Sequence, residues 1–209
     1  MIQLWGGATT RTLRAHWMLH EANVPYEPVL IGSRTGETQT EAFRALNAKE
    51  KIPVLVDDDL VLTESAAIVT YIADTYARHL IPEPHTKDRA RYNQWASFVQ
   101  MELDAHTLYV MRKHRDLSEI YGEAPAAIDA AIEGFRKQVA VAETHLSTRE
   151  YLVADKFTGA DVLMSVCLTW AQLYEIEIAD TLVAYNERLT SRPAYRDAAR
   201  LNFSISAGA

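Results

Sequence analysis

The sequence predicts a small α/β domain followed by an all-helical one. Short strands and helices alternate through residues 1–77, two prolines punctuate 78–86, and strand signals nearly vanish over 87–209. The first strand is "IQLW" (2–5), stopped by Gly6-Gly7, which read as loop. "TLRAHWMLHEA" (12–22) follows as a helix, with Leu13, Trp17 and Leu19 or His20 at helical spacing and Asn23 and Pro25 as stop signals. "YEPVLI" (26–31) reads as a strand, "EAFRALN" (41–47) as a short helix, and "PVLVDDDLVLT" (53–63) as a hairpin around Asp57, Asp58 and Asp59. "SAAIVTYIADTYA" (65–77) closes the domain as a helix, giving the order β-α-β-α-β-β-α.

The segment 78–86 is expected to be a linker. Beyond it, 87–117 is one long helix candidate, 124–146 a second and 158–174 a third, while 181–200 supplies one or two more. At Thr158 a capping-box variant opens the third. The threonine hydroxyl can accept from the Asp161 amide, Asp161 can reach back to the Thr158 amide, and Phe157 can staple against Val162. Read alone, Thr158 and Asp161 are a structural cap, whose loss costs about 0.5–2 kcal/mol.

Composition narrows the function classes. A formal net charge of −7 over 209 residues lacks the basic footprint of a nucleic-acid binder. Cys167 is the single cysteine, so no intrachain disulfide can form, and its apolar neighbours predict burial. "MIQLWGGATT" does not read as a secretory signal, and no apolar run approaches a membrane span, so a cytoplasmic location is expected.

Four motifs in register carry a family likeness: "NAKEKIPVL" (47–55), "LTESAAIVTYI" (62–72), "YLVADKFTGADVLM" (151–164) and "SRPAYRDA" (191–198). Together they resemble the glutathione transferase superfamily across almost the whole chain. That resemblance implies a thioredoxin-like N-terminal domain, an all-helical C-terminal domain, a homodimer, and glutathione as co-substrate without a metal. Two departures concern turn geometry: the family's Pro-x-Gly is Ala48-Lys49-Glu50 here, and a common glycine is Ala154.

Glutathione carries an amino-acid head group, a thiol and a second carboxylate. A helix N-terminus offers amides and partial positive charge to a carboxylate. Ser65 adds a hydroxyl, and Glu64 supplies the negative charge that an ammonium group needs. The alternative is that Glu64 favours the helix dipole and Ser65 caps the helix. By resemblance, Ile52-Pro53 is the cis-proline element whose preceding backbone pairs with the cysteinyl unit, and Lys51 is the basic contact to the glycine carboxylate. A proline opening an edge strand and a solvated lysine are the plain readings.

The thiol must be activated, and lowering its pKa by about two units requires roughly 2.7 kcal/mol of preferential thiolate stabilisation. In the resembled family a hydroxyl or thiol in the turn after the first strand does this. Here the turn reads "GGATTRTLR", and alignment with serine-type members places Thr10 at the position, with Thr9 the alternative and Arg14 four residues on. Either threonine can instead cap the helix. A second substrate is expected against the long helix, where His106, Tyr109 and Lys113 recur at i, i+3, i+7. The function so implied is conjugation of the thiolate to a hydrophobic electrophile, with detoxification as its setting. The alternatives are a glutathione-dependent isomerase, a peroxidase or disulfide reductase, and a non-catalytic binding module.

Overall fold

The structure, a computed structural model, describes residues 1–205; the last four positions of the expected helical segment lie outside the described residues. By internal contacts the chain forms two compact units, Met1–Ile81 joined by the segment from Thr190, and Pro82–Leu189.

The first unit is built on a four-stranded sheet of β1 (Ile2–Trp5), β2 (Glu27–Val29), β3 (Val54–Asp57) and β4 (Leu60–Thr63), in the order β2-β1-β3-β4. Helix α1 (Thr10–Glu21) makes the crossover that a parallel β1/β2 pair requires, whereas β3 and β4 are antiparallel neighbours joined by a tight hairpin. The second strand is shorter than the predicted 26–31, and α2 (Glu41–Leu46) and α3 (Ser65–Tyr76) fall where the periodicity puts them.

Leu4, Val54 and Leu55 are fully buried in the sheet, and Leu13, Trp17, Ile68 and Ile72 are fully buried on α1 and α3, which pack together. Phe43 of α2 joins Ile31 and Val54 in a further apolar cluster that Trp5 and Ile52 flank. Gathering such side chains stabilises the unit by about 1.5–3 kcal/mol for each large one fully buried. Later in the chain α10 (Pro193–Asn202) also packs on α1. There Tyr195 meets Trp17 edge-on at 4.8 Å, and Arg192 grips the buried Glu21 carboxylate with two bonds of 2.6 and 2.7 Å.

The second unit is helical, so the thioredoxin-like α/β layer followed by an all-α portion is the architecture observed. Its first long helix does not keep one hydrogen-bond pattern. After α4 (Lys87–Phe98) the backbone turns π-helical over Val99–Leu108, returns to α in α5 (Tyr109–Met111), and is π-helical again over Arg112–Asp116 before α6 (Ser118–Tyr121). Helix α7 (Pro125–Leu146) starts with proline at its first position, where no amide hydrogen is needed. It and α8 (Gly159–Leu173) both pack on the π-helical stretch Val99–Leu108, where Leu103, Phe135 and Leu163 are fully buried. Residues 181–200 form two helices, α9 (Asp180–Thr190) and α10, because Pro193 cannot lie inside one.

Among the described residues no helix is long and apolar enough to cross a membrane. Cys167 is buried.

Candidate functional site

Sheet register assembles the site. Trp5, Val54 and Thr63 lie side by side across β1, β3 and β4. The segments attached beyond them therefore meet at one end of the sheet: the turn after β1, the Ile52-Pro53 approach to β3, and Glu64-Ser65 after β4.

The turn after β1 is tightly specified. Gly6 has φ +126°, and a Cβ there would come within 2.6 Å of the Thr12 methyl and 2.8 Å of Ile52 Cβ. Its carbonyl accepts from His16 Nε2 at 2.9 Å, which leaves His16 Nδ1 to accept from the Tyr26 hydroxyl at 2.7 Å. Burial pushes the His16 imidazole down to about 4, so the ring is neutral near pH 7.

Two threonines then divide the labour. Thr9 caps α1: its hydroxyl accepts from the Thr12 amide at 3.1 Å, within a reciprocal capping box. Asn202 locks the cap, its side chain reaching the Thr12 hydroxyl at 2.6 Å and donating to the Thr9 carbonyl at 3.1 Å. Thr10, the first residue of α1, is half-buried, and among the described residues its hydroxyl has no hydrogen-bond partner. Of the two hydroxyls weighed from sequence, Thr9's is already engaged within the fold.

The start of α3 is the second element. Glu64 adopts φ 70° and ψ 113°, a conformation costly for a residue with a Cβ, on the order of 1–3 kcal/mol. Its carboxylate makes no capping bond to the helix and is about two-thirds exposed. Lys49 donates to Glu64 Oε1 at 2.7 Å and to the Thr63 hydroxyl at 2.9 Å. Ser65 is buried, and beneath it the fully buried Arg14 donates from its guanidinium to Ser65 Oγ at 3.2 Å. A guanidinium stays charged in any protein setting, so this helix start combines amide dipoles, a hydroxyl and a full positive charge.

The Ile52-Pro53 bond is cis. Asn47 holds the preceding backbone by donating to the Lys51 carbonyl at 2.7 Å, and the Lys51 residue itself is exposed. Both positions where the family prefers glycine carry left-handed backbone on a side-chain-bearing residue, Glu50 at φ 55° and Ala154 at φ 56°.

Sequence reasoning noted Arg14 only by its distance from Thr10. The signal was an arginine flanked by Leu13 and Ala15 inside an apolar helical face, where only a buried partner or ligand justifies it. Lys49 left no sequence signal, because it comes within reach of Glu64 only through the fold.

In the second unit His106, Tyr109 and Lys113 lie along a helix whose hydrogen bonding alternates between π and α. The π-helical segments bond from i to i+5, as in the Tyr109 amide to the Asp104 carbonyl, which changes which side chains align. Tyr109 and Lys113 meet, with Nζ 5.2 Å from the ring centre, while His106 stands exposed. Trp170 and Tyr174 pack against each other at 5.8 Å, and the Tyr174 hydroxyl donates to Asp116.

At the start of α8 the capping box forms, but Asp161 does more than cap. Fully buried, it accepts from the amides of Thr158 and Leu152 at 2.8 and 3.0 Å and from the hydroxyls of Tyr185 and Thr158 at 2.8 and 3.0 Å. Phe157 is buried and lies edge-on to Tyr151. Among the described residues no three His, Cys, Asp or Glu side chains gather to hold a metal ion.

Comparison with known proteins bears on this geometry. Residues 1–74 match the family model for the N-terminal domain of glutathione S-transferase, and residues 98–193 the model for its C-terminal domain. The chain is 30% identical to Glutathione S-transferase GstB of Escherichia coli K12, over 94% of this chain and 96% of that protein. Among solved structures it resembles the theta class glutathione S-transferase of Xanthomonas axonopodis pv. citri with glutathione bound, at 28% identity and TM-score 0.80 over 99% of both chains. It also resembles glutathione transferase F7 of Populus trichocarpa, at 26% identity and TM-score 0.81 over 98% of this chain and all of that one. On the two domain matches and the full-length relative, the chain belongs to the glutathione S-transferase family.

Proposed function

We propose that this chain conjugates the thiolate of glutathione to a hydrophobic electrophile. The observation that carries the reading is the buried Arg14 bonded to Ser65 at the start of α3, a cationic seat for a carboxylate. The γ-glutamyl carboxylate takes Ser65 and the helix amides, and its ammonium takes Glu64 through Oε2, since Lys49 occupies Oε1. The Ile52 backbone pairs with the cysteinyl unit ahead of Pro53, and Lys51 meets the glycine carboxylate. Thr10, whose hydroxyl is uncommitted among the described residues, donates to the sulfur and favours the anion.

In the reaction the thiol proton leaves to solvent. Sulfur forms a bond to the electrophilic carbon, and the leaving group departs with its electron pair. Holding the thiolate in one orientation supplies much of the rate. We place the protein in the cytoplasm as a homodimer engaged in detoxification, as the resemblance implies.

The test follows the thiol and the product. Difference absorbance of bound glutathione against pH should give a thiol pKa below the free value of about 8.5 in wild type and nearer to it in Thr10→Ala. Glutathione should be consumed with one equivalent of electrophile. Full turnover and an unchanged bound-thiol pKa in Thr10→Ala would remove Thr10 from this role. Regeneration of glutathione would move the reading to an isomerase.

A further inference from the structure

The turn that carries Thr10 is held from the far end of the chain. Asn202, the last residue of α10, is fully buried and belongs to the same compact unit as the turn. Its carbonyl accepts from the Ala8 amide at 2.6 Å, its Oδ1 accepts from the Thr12 hydroxyl at 2.6 Å, and its Nδ2 donates to the Thr9 carbonyl at 3.1 Å. The packing matches. A Cβ at Gly7 would come within 3.2 Å of the Asn202 carbonyl and 3.0 Å of the Ile205 side chain, so glycine there permits the close approach.

The two ends of the Asn202 amide act together. A hydroxyl has one proton, and the Thr12 hydroxyl is within reach of two acceptors, Asn202 Oδ1 and the Thr9 carbonyl at 2.8 Å. Asn202 draws that proton to Oδ1 and supplies the Thr9 carbonyl from Nδ2. The Thr12 oxygen is then left to accept from the Thr9 hydroxyl at 2.9 Å. Thr9 is thereby kept as the cap. Ala8 is kept at φ +56°, a left-handed backbone that a residue with a Cβ holds only under outside constraint. Thr10 follows directly on both, and its hydroxyl has no such tie of its own among the described residues.

We propose that Asn202 is a positioning residue for the thiol: by fixing residues 7–12 it sets where the Thr10 hydroxyl stands. This rests on Thr10 as the thiolate donor in the function proposed above.

The experiment compares wild type, Asn202→Leu, Thr12→Val, Thr10→Ala and Arg192→Gln. Asn202→Leu keeps the volume and removes both amide ends, while Thr12→Val removes the partner hydroxyl and guards against a poorly folding Asn202→Leu. Arg192→Gln frees the other end of α10 from Glu21 without touching the turn. Without glutathione, amide hydrogen exchange over the turn should quicken about tenfold in Asn202→Leu, the worth of roughly one hydrogen bond, and stay unchanged in Arg192→Gln. With glutathione and 1-chloro-2,4-dinitrobenzene, Asn202→Leu should raise the bound-thiol pKa and lower kcat about tenfold or more. Its KM for glutathione should change less than about threefold, because the head-group seat is on another segment. Arg192→Gln should lose stability and keep kcat.

Unchanged exchange in both Asn202→Leu and Thr12→Val overturns the proposal. So does a thiol shift in Thr10→Ala with none in Asn202→Leu, or an equal fall of kcat in Arg192→Gln, either of which reduces Asn202 to an anchor of the fold. A turn loosened in Asn202→Leu with no thiol shift there or in Thr10→Ala sinks Thr10 as the donor, and the positioning role with it.

Discussion

Helices α3 and α8 each carry an acidic residue in their opening turn, Glu64 at the cap of α3 and Asp161 three residues after the cap of α8, and the two acids are used in opposite ways. Asp161 is fully buried and accepts four hydrogen bonds from its own chain, so the start of α8 is saturated. Glu64 is largely exposed, makes no cap, and sits in a strained backbone conformation above a buried arginine. One arrangement spends its polar groups on the fold. The other leaves its carboxylate at the surface, paired among the described residues with Lys49 alone, and strain of that kind persists only where surrounding structure enforces it. A capping motif in a sequence therefore says little until its partners are known.

The largest effect should come from Asp161→Ala. Sequence alone suggests the 0.5–2 kcal/mol of an ordinary cap, but four buried donors would lose their acceptor, and we expect about 4 kcal/mol or more. Denaturant unfolding measures this, with Asp161→Asn as a partial rescue. A loss under about 1 kcal/mol would reduce the α8 start to a common cap and break the contrast.

Acid should act next, at the sheet end that carries the α3 site. The unfolded chain protonates His16 near 6.5, and the folded one only near 4. Between these values the unfolded state binds more protons, so stability is full above about pH 6.5 and falls as the pH drops toward 4. At about 1.4 kcal/mol per pH unit the loss is on the order of 3 kcal/mol. Unfolding free energies of wild type and His16→Gln across pH 7 to 4.5 should diverge by the slope attributed to His16. Parallel curves would show that another group titrates.

The same contrast recurs within the first turn at a smaller scale. Thr9→Ala should cost about 1–2 kcal/mol of stability, because Thr9 is the cap. Thr10→Ala should stay within about 0.5 kcal/mol in unfolding and register in the thiol titration. An exchange of these effects would swap the two assignments.

The smallest effects concern left-handed residues. Ala154→Gly should raise stability by up to about 1 kcal/mol, the relieved Cβ strain less the added freedom of the unfolded chain. Glu64→Gly should relieve comparable strain yet weaken glutathione binding. A thermal shift in the stabilising direction for both, with lost binding only for Glu64→Gly, would sharpen the distinction between the two helix starts.

Much of this was legible before any coordinates. Period-two runs, glycine and proline stops and the hairpin aspartates placed the strands and helices of the first unit, because local propensity and tertiary packing agree there. The π-helical turns were not legible. An apolar spacing near 3.6 reads the same until packing shifts the hydrogen bonds by one residue, as between the Tyr109 amide and the Asp104 carbonyl. Glu64, Ser65 and the threonine turn stood out as residue types in order. Their supports did not, since Arg14 beneath Ser65, Lys49 against Glu64 and Asn202 behind Thr9 are contacts between elements distant in sequence.

The central claim is that the start of α3 is a seat for the γ-glutamyl head group. Calorimetric titration of reduced glutathione into wild type and a Glu64→Ala, Ser65→Ala double variant tests it most directly. The account predicts binding at micromolar to millimolar affinity in wild type and none in the folded variant, consistent with the loss of charge-assisted bonds at both ends of that group. Equal binding by the two proteins, or none by a well-folded wild type, would contradict it.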